Sequence, residues 1–245
     1  MTSDSFCTGL SLTAGHSSLV TPIAPLASLL GILGGTFNPI HYAHLRLAEE
    51  LADALSLQSV RVIPASIPPH REAPRVGATH RLAMVELACA GNERLMVDDR
   101  ECRRSGPSYT VDTLLELRSE LGAQQPLCLL MGVDAFAALT TWSRWERLFD
   151  LAHIAIARRP GFALEAGALP PPLARELETR HTEVLSQLHM RPAGLLAVCT
   201  ITALDISGTG IRASIAQGGS PRYLLPDSVL DYIRQHQLYK DVDAR

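Results

Sequence analysis

Between Leu29 and Leu55 the chain changes its hydrophobic period within about a dozen residues, and no other stretch constrains the fold as strongly. Leu29 to Leu33 is a short apolar run with the length and composition of a buried strand. From about Ala43, the residues Ala48, Leu51, Ala52 and Leu55 recur at spacings of three and four, with Glu49, Glu50 and Asp53 between them. That pattern predicts an amphipathic helix. The run breaks at Gly34-Gly35, where a missing Cβ permits positive φ or the close approach of a ligand. Asn38-Pro39 adds a rigid turn. Strand, glycine turn and helix form the repeating unit of an α/β fold, here with His41 and His44 at the helix start. A helix N-terminus offers unpaired N–H groups and partial positive charge, which suit phosphate, and two imidazoles would add donors. Each feature also has a plain structural reading, because a glycine pair can be only a turn and a histidine only a cap.

The same alternation continues downstream. Val60 to Pro64, Leu95 to Val97, Leu127 to Met131, His153 to Ala157 and Leu195 to Thr200 read as further strands. Helical patterns lie at Arg81 to Ala90, at Leu114, Leu117 and Leu121, and at Val229, Leu230 and Ile233. Strands alternating with helices predict a mostly parallel sheet covered by helices on both faces, in one domain spanning 29–240. Strand order is left open. Gly161 to Ala193 differs in composition, with Pro170-Pro171-Pro172 before a single helical pattern of Leu173, Leu177, Val184, Leu185 and Leu188, and is expected to be a surface excursion. Residues 1–28, rich in Ser, Thr, Ala and Pro, are expected to be a disordered extension or an upstream start, with no part in the chemistry.

Composition narrows the function. A net charge of −3 speaks against a nucleic-acid binder. No Lys or Arg precedes Arg46, so a signal peptide is not expected, and no apolar run approaches a membrane span. Five cysteines without a C-x-x-C pair point to free thiols in a reducing cytoplasm, with Cys128 and Cys199 buried. The chain has no G-x-G-x-x-G after its first strand and no G-x-x-x-x-G-K-[ST], and its only lysine is Lys240. Phosphate chemistry must then rest on histidine, arginine and backbone amides.

Several later stretches add candidates. The loop Ile67-Pro68-Pro69-His70-Arg71 follows the second strand and holds two potential phosphate donors at a strand's C-terminal end, where ligands of open α/β sheets bind. Thr110 in Gly106-Pro107-Ser108-Tyr109-Thr110 is a plausible N-cap. Asp134 can accept from ribose hydroxyls or cap the next short helix. Trp142 stands at a helix boundary and can stack on a planar ring, whereas Trp145 fits a core face with Leu148 and Phe149. In Ile206-Ser207-Gly208-Thr209-Gly210-Ile211-Arg212, hydroxyls and glycines at a helix start precede an arginine one turn on, a second phosphate-binding pattern.

Gly34 to His44 resembles the G-G-x-F-x-P-x-H-x-G-H signature of the nucleotidyltransferase superfamily, with Ala43 in place of the usual glycine. Ile206 to Arg212 resembles the I-S-x-T-x-I-R signature of the same superfamily. Pro68-Pro69-His70-Arg71, Ser108-Tyr109-Thr110, the Asp134…Trp142 spacing and Arg158-Arg159-Pro160-Gly161 narrow the resemblance to bacterial nicotinate-nucleotide adenylyltransferases, from about Leu30 to Tyr239. The resemblance implies a Rossmann-like fold and transfer of AMP from ATP to nicotinate mononucleotide, giving deamido-NAD and pyrophosphate with Mg2+ carried mainly on the phosphates. It assigns Gly34, Gly35, Thr36, Phe37, His41, His44, Asp134, Ile206, Ser207, Thr209 and Arg212 to ATP, with His41, His44 and Arg212 catalytic. It assigns His70, Arg71, Tyr109, Thr110, Trp142, Ser143 and Arg158 to the mononucleotide, Trp142 stacking on the pyridine ring. Two alternatives stand beside it: another adenylyl- or cytidylyltransferase of the superfamily, such as the phosphopantetheine type, and a nucleotide-binding regulator without catalysis. Homo-oligomers are compatible with all three.

Overall fold

The computed structural model describes residues 28–68, 74–161, 167, 169–202 and 204–240. The N-terminal extension therefore lies, apart from Ser28, outside the described residues, as do His70 and Arg71. Six strands, β1 (Leu30–Gly35), β2 (Ser59–Pro64), β3 (Leu95–Val97), β4 (Leu127–Gly132), β5 (His153–Arg158) and β6 (Leu196–Thr200), form one sheet in the order β3-β2-β1-β4-β5-β6. Every pairing is parallel. This is the doubly wound order, and the chain reverses direction across the sheet between β1 and β4.

Ten helices accompany the strands among the described residues. They are α1 (Tyr42–Ala54), α2 (Ala78–Cys89), α3 (Arg100–Arg103), α4 (Thr110–Leu121), α5 (Val133–Ala137), α6 (Leu148–Leu151), α7 (Pro171–Arg180), α8 (Gln187–Met190), α9 (Gly208–Ala216) and α10 (Asp227–Gln235). Single 3-10 turns at Leu139–Thr141 and Trp145–Arg147 lie between α5 and α6.

The strands alternate sides with period two, and this divides the core between the two faces of the sheet. Leu33, Val60, Val62, Leu130, Ala155 and Ala197 join α1, α2, α9 and α10 on one face. Ile32, Ile63, Leu129, Met131, Ile154 and Ile156 join α4, α5, α6 and α7 on the other. Sheets covered on both faces need near-continuous apolar strands, which explains why these runs were legible. Cys128 and Cys199 are buried free thiols, as expected.

Four expectations are corrected. β1 does not break at the glycines: Gly34 pairs with Ile63 and Gly35 with Pro64, and the turn falls at Asn38-Pro39. The helical pattern after Pro170 divides into α7 and α8, because the chain between them at His181 bridges to Leu196 of β6. That segment is also no mere surface excursion, since Leu173 and Leu188 are fully buried, one in each core layer. Thr110 is the first residue of α4 rather than its cap. Tyr109 holds the extended cap backbone, and its carbonyl accepts from Asp112 N and Thr113 N.

Candidate active site

The C-terminal ends of β1 and β4 flank the point where strand order reverses, which is where an open α/β sheet leaves a crevice. Gly34 is exposed at the end of an otherwise buried strand, and a Cβ built on it meets nothing within 4 Å. Neither glycine has positive φ, so Gly34 leaves open space at the crevice rather than making a turn. Gly35 is small for a different reason: its Cβ would fall 2.8 Å from the Phe37 ring. Phe37 itself takes the left-handed conformation (φ 46) and buries its side chain under the loop, and Asn38-Pro39 is a cis bond.

That loop delivers the two histidines. His41 is the N-cap residue of α1 and His44 stands at its third position. Their rings stack with centroids 3.8 Å apart, and Phe37 meets His44 edge-on at 5.1 Å. The backbone N–H of His41 donates to His44 Nδ1 at 3.3 Å. A neutral His44 therefore carries its proton on Nε2 and keeps that N–H as a donor. His41 Nδ1 is buried and finds no partner among the described residues. Burial lowers the His41 pKa to about 4, and burial with the neighbouring His41 lowers that of His44 to about 3. Near neutral pH both rings are therefore neutral imidazoles, preorganised for an anion whose charge would draw protons toward them.

The second signature meets the first. Ser207 caps α9, its hydroxyl accepting from Gly210 N at 3.1 Å. Arg212, one turn in, donates through Nη1 to the main-chain oxygen of Asn38 at 2.8 Å and through Nη2 to Thr209 Oγ1 at 3.3 Å. Gly208 lies so close to that turn that a Cβ on it would stand 2.8 Å from Asn38 O. Only glycine permits this contact. Residues 174 positions apart thus form one surface with exposed Ser207, Thr209 and Gly210, and with Ile206 half-buried just before them. Asp134 is exposed in the first turn of α5, on the β4 side of the crevice; the N-cap of that helix is Gly132, so the capping reading fails.

The candidates assigned to the mononucleotide gather on other loops. Ser66 N donates to Ser108 Oγ at 2.9 Å and Ser108 N to Ile67 O at 2.9 Å, which ties the loop after β2 to the turn before α4. Tyr109 and Trp142 are both half-buried against the second core layer. Arg144, in the left-handed region (φ 51), donates to both oxygens of Asp112 at 2.8 and 2.9 Å. That pair links the Trp142-Ser143 loop to the first turn of α4, two residues beyond Thr110. Arg158 ends β5, and its Nε donates to Thr200 Oγ1 of β6 at 2.9 Å rather than to the loops carrying Tyr109 and Trp142.

Sequence reasoning missed the residue that joins the two sides. Arg81 is 1% exposed, and it donates to four main-chain carbonyls: Val76 at 3.2 Å, Thr36 at 2.7 Å, Ala65 at 2.5 Å and Ser66 at 2.7 Å. It fixes the turn after β1 against the loop after β2. A guanidinium is suited to this, with five donors in one rigid plane. The signal was present: Arg81 precedes buried Met84 and Val85 by three and four residues and so shares their helical face.

Comparison with known proteins agrees with this geometry. The cytidylyltransferase-like family model matches residues 32–214. A protein from Dechloromonas aromatica, named a probable nicotinate-nucleotide adenylyltransferase, is 52% identical over 212 residues, covering 86% of this chain and 98% of its own length. One of the same name from Pseudomonas aeruginosa is 46% identical over 211 residues, covering 86% and 97%. Among solved structures, a Plasmodium falciparum nicotinic acid mononucleotide adenylyltransferase complexed with NaAD superposes with a TM-score of 0.65 at 18% identity, covering 88% of this chain and 98% of that one. Its likeness bears on the fold alone. Fold, signatures and relatives agree that the chain belongs to the nicotinate-nucleotide adenylyltransferases, within the cytidylyltransferase-like family.

Proposed function

We infer that this chain transfers AMP from ATP to nicotinate mononucleotide, releasing deamido-NAD and pyrophosphate in NAD biosynthesis. The observation that carries the reading is the junction of the histidine pair with Arg212 through the turn at Asn38. It gathers phosphate donors at the sheet's crevice. The mononucleotide phosphate oxygen attacks the α-phosphorus in line; one P–O bond forms and the bond to the β-phosphate oxygen breaks, so pyrophosphate leaves. No covalent enzyme intermediate is needed, and no side chain acts as nucleophile. The protein positions two anions and disperses charge on the α-phosphate and the leaving group.

His41 and His44 donate to the phosphates, with His44 Nε2–H stabilising charge in the transition state. Ser207, Thr209, Arg212 and the open amides of α9 hold the β- and γ-phosphates, and Asp134 accepts from the ribose. Gly34, Gly35, Thr36, Phe37 and Ile206 shape the adenosine side. Tyr109, Thr110, Trp142 and Ser143 surround the pyridine ring, and His70, Arg71 and Arg158 serve the mononucleotide. Among the described residues, no group of three His, Cys, Asp or Glu stands together as a metal cluster. Hydroxyl, imidazole and guanidinium donors suit phosphate oxygens, so Mg2+ enters with ATP as part of the substrate. Among the described residues no helix is long and apolar enough to cross a membrane, and we place the enzyme in the cytoplasm.

The test is pyrophosphate release from ATP with nicotinate mononucleotide, the dinucleotide product identified by mass. Pyrophosphate released only with a cytidine nucleotide or with phosphopantetheine would move the chain to another branch of the family. Nucleotide binding without turnover would make it a regulator.

A further inference from the structure

The last described residues of the chain return to the phosphate side of the site. After α10 the backbone passes through Gln237 and Tyr239, both in the left-handed region (φ 54 and 62). Non-glycine residues stay there only when surrounding contacts over-determine them. Leu238 and Tyr239 pack on the first core layer, and Leu238 N donates to Ile233 O at 3.0 Å, so the tail is seated rather than frayed. The Tyr239 hydroxyl donates to Asn38 Oδ1 at 2.7 Å. Asn38 is the residue whose main-chain oxygen receives Arg212. Its side chain is therefore held by the C-terminal tail while its backbone is held by α9. Burial pushes the phenol above its ordinary range although Arg212 and Arg81 pull the other way, which keeps the hydroxyl protonated as a donor.

We propose that Tyr239 is a positioning residue for the triphosphate, fixing through Asn38 the turn against which Arg212 is set. The proposal rests on the assignment of Arg212 to the β- and γ-phosphates made above. It gives the tail a role that neither phosphate signature contains. Without the hydroxyl, Asn38 Oδ1 loses its donor, and the turn can rotate away from Arg212 while the ring still packs. The loss should therefore fall on ATP and spare the mononucleotide, whose loops lie on the other side of Arg81.

Tyr239→Phe in the full chain removes only the hydroxyl. The KM for ATP is expected to rise about tenfold, as for one lost hydrogen bond, with the KM for nicotinate mononucleotide within about twofold and the melting temperature within a few degrees. Arg212→Ala, measured alongside, should raise the KM for ATP further, and adding Tyr239→Phe to it should cost no more than about another twofold, because the phenol acts through the arginine. The Kd of a non-hydrolysable ATP analogue should follow the same order; that measurement needs no acceptor and so stands even if the acceptor is a different mononucleotide. An unchanged ATP affinity in Arg212→Ala would remove the phosphate assignment and this proposal with it. Impairment in Arg212→Ala beside an unchanged Tyr239→Phe would overturn the proposal alone. So would a Tyr239→Phe loss spread equally over both substrates and the melting temperature, which would make the tail a structural anchor only.

Discussion

The two sides of the crevice are built in different ways. The side proposed for the phosphates is set largely by backbone: Gly35 makes room for Phe37, Gly208 leaves room for Asn38 O, and Arg212 reaches the same carbonyl. Its recognition groups sit on helix starts whose positions the turn dictates. The side proposed for the pyridine ring is set by side chains spanning loops, with Ser108 tying in the loop after β2 and Arg144 latching the Trp142 loop to Asp112. The Arg144 and Asp112 side chains keep 44% and 35% of their surface in water. A site fixed by backbone tolerates few residue types, so it reads as a motif. A site latched by exposed side chains can change partners, and such latches contribute little to stability.

The largest expected effect lies on the phosphate side. His44→Ala should lower kcat by about a hundredfold or more, as for loss of one oxyanion donor, with a much smaller change in the KM for ATP. A loss below tenfold in kcat/KM, with the fold intact by circular dichroism, would show that His44 does not stabilise the transition state.

A smaller effect reads the electrostatics of that pair. The fold keeps His41 and His44 neutral far below the ordinary histidine pKa, whereas the unfolded chain protonates them near 6.5. The unfolded state then binds more protons, so stability should be flat above pH 6.5 and fall as pH drops from 6.5 toward 4, by about 1 kcal/mol per histidine per pH unit. His153, buried and held by Arg191 O and Leu195 N, adds to the same trend. Thermal melts of His41→Gln should show a shallower decline than those of the unmodified chain. Equal slopes would mean that His41 is not buried as a neutral ring.

The smallest effect belongs to the latch. Arg144→Ala should raise the KM for nicotinate mononucleotide by about three- to tenfold, while the melting temperature moves by no more than about 2 °C, as befits a half-exposed ion pair. An effect confined to ATP would reverse the assignment of the two sides.

What the sequence disclosed follows the same division. Strand positions were legible because both faces of the sheet are covered, and each signature was legible because it holds a glycine that answers to a steric demand, Gly35 against Phe37 and Gly208 against Asn38 O. Strand order was not, since nothing local in Leu127–Gly132 says that it pairs with β1 rather than β3. Arg81 was passed over because a charged residue in a helix is read as solvated, yet here main-chain oxygens left by the turns around β1 and β2 replace water. Arg144 with Asp112 and Tyr239 with Asn38 join residues far apart in the chain, and no spacing rule brings them together. His70 and Arg71 lie outside the described residues, so their part stays with the proposal.

The central claim is that one side of the crevice takes ATP and the other a pyridine ring bearing a carboxylate. The most direct test is kcat/KM for nicotinate mononucleotide against its amide counterpart in the unmodified enzyme. In the proposed pocket a carboxylate would accept on both oxygens from Thr110 and the loop amides near Ser143, whereas an amide NH2 would leave such donors unpaired, at about 1–3 kcal/mol each. Two donors predict a preference for the acid of about 30-fold to several thousandfold, narrowed in Thr110→Val. Equal kcat/KM values for acid and amide would contradict the account.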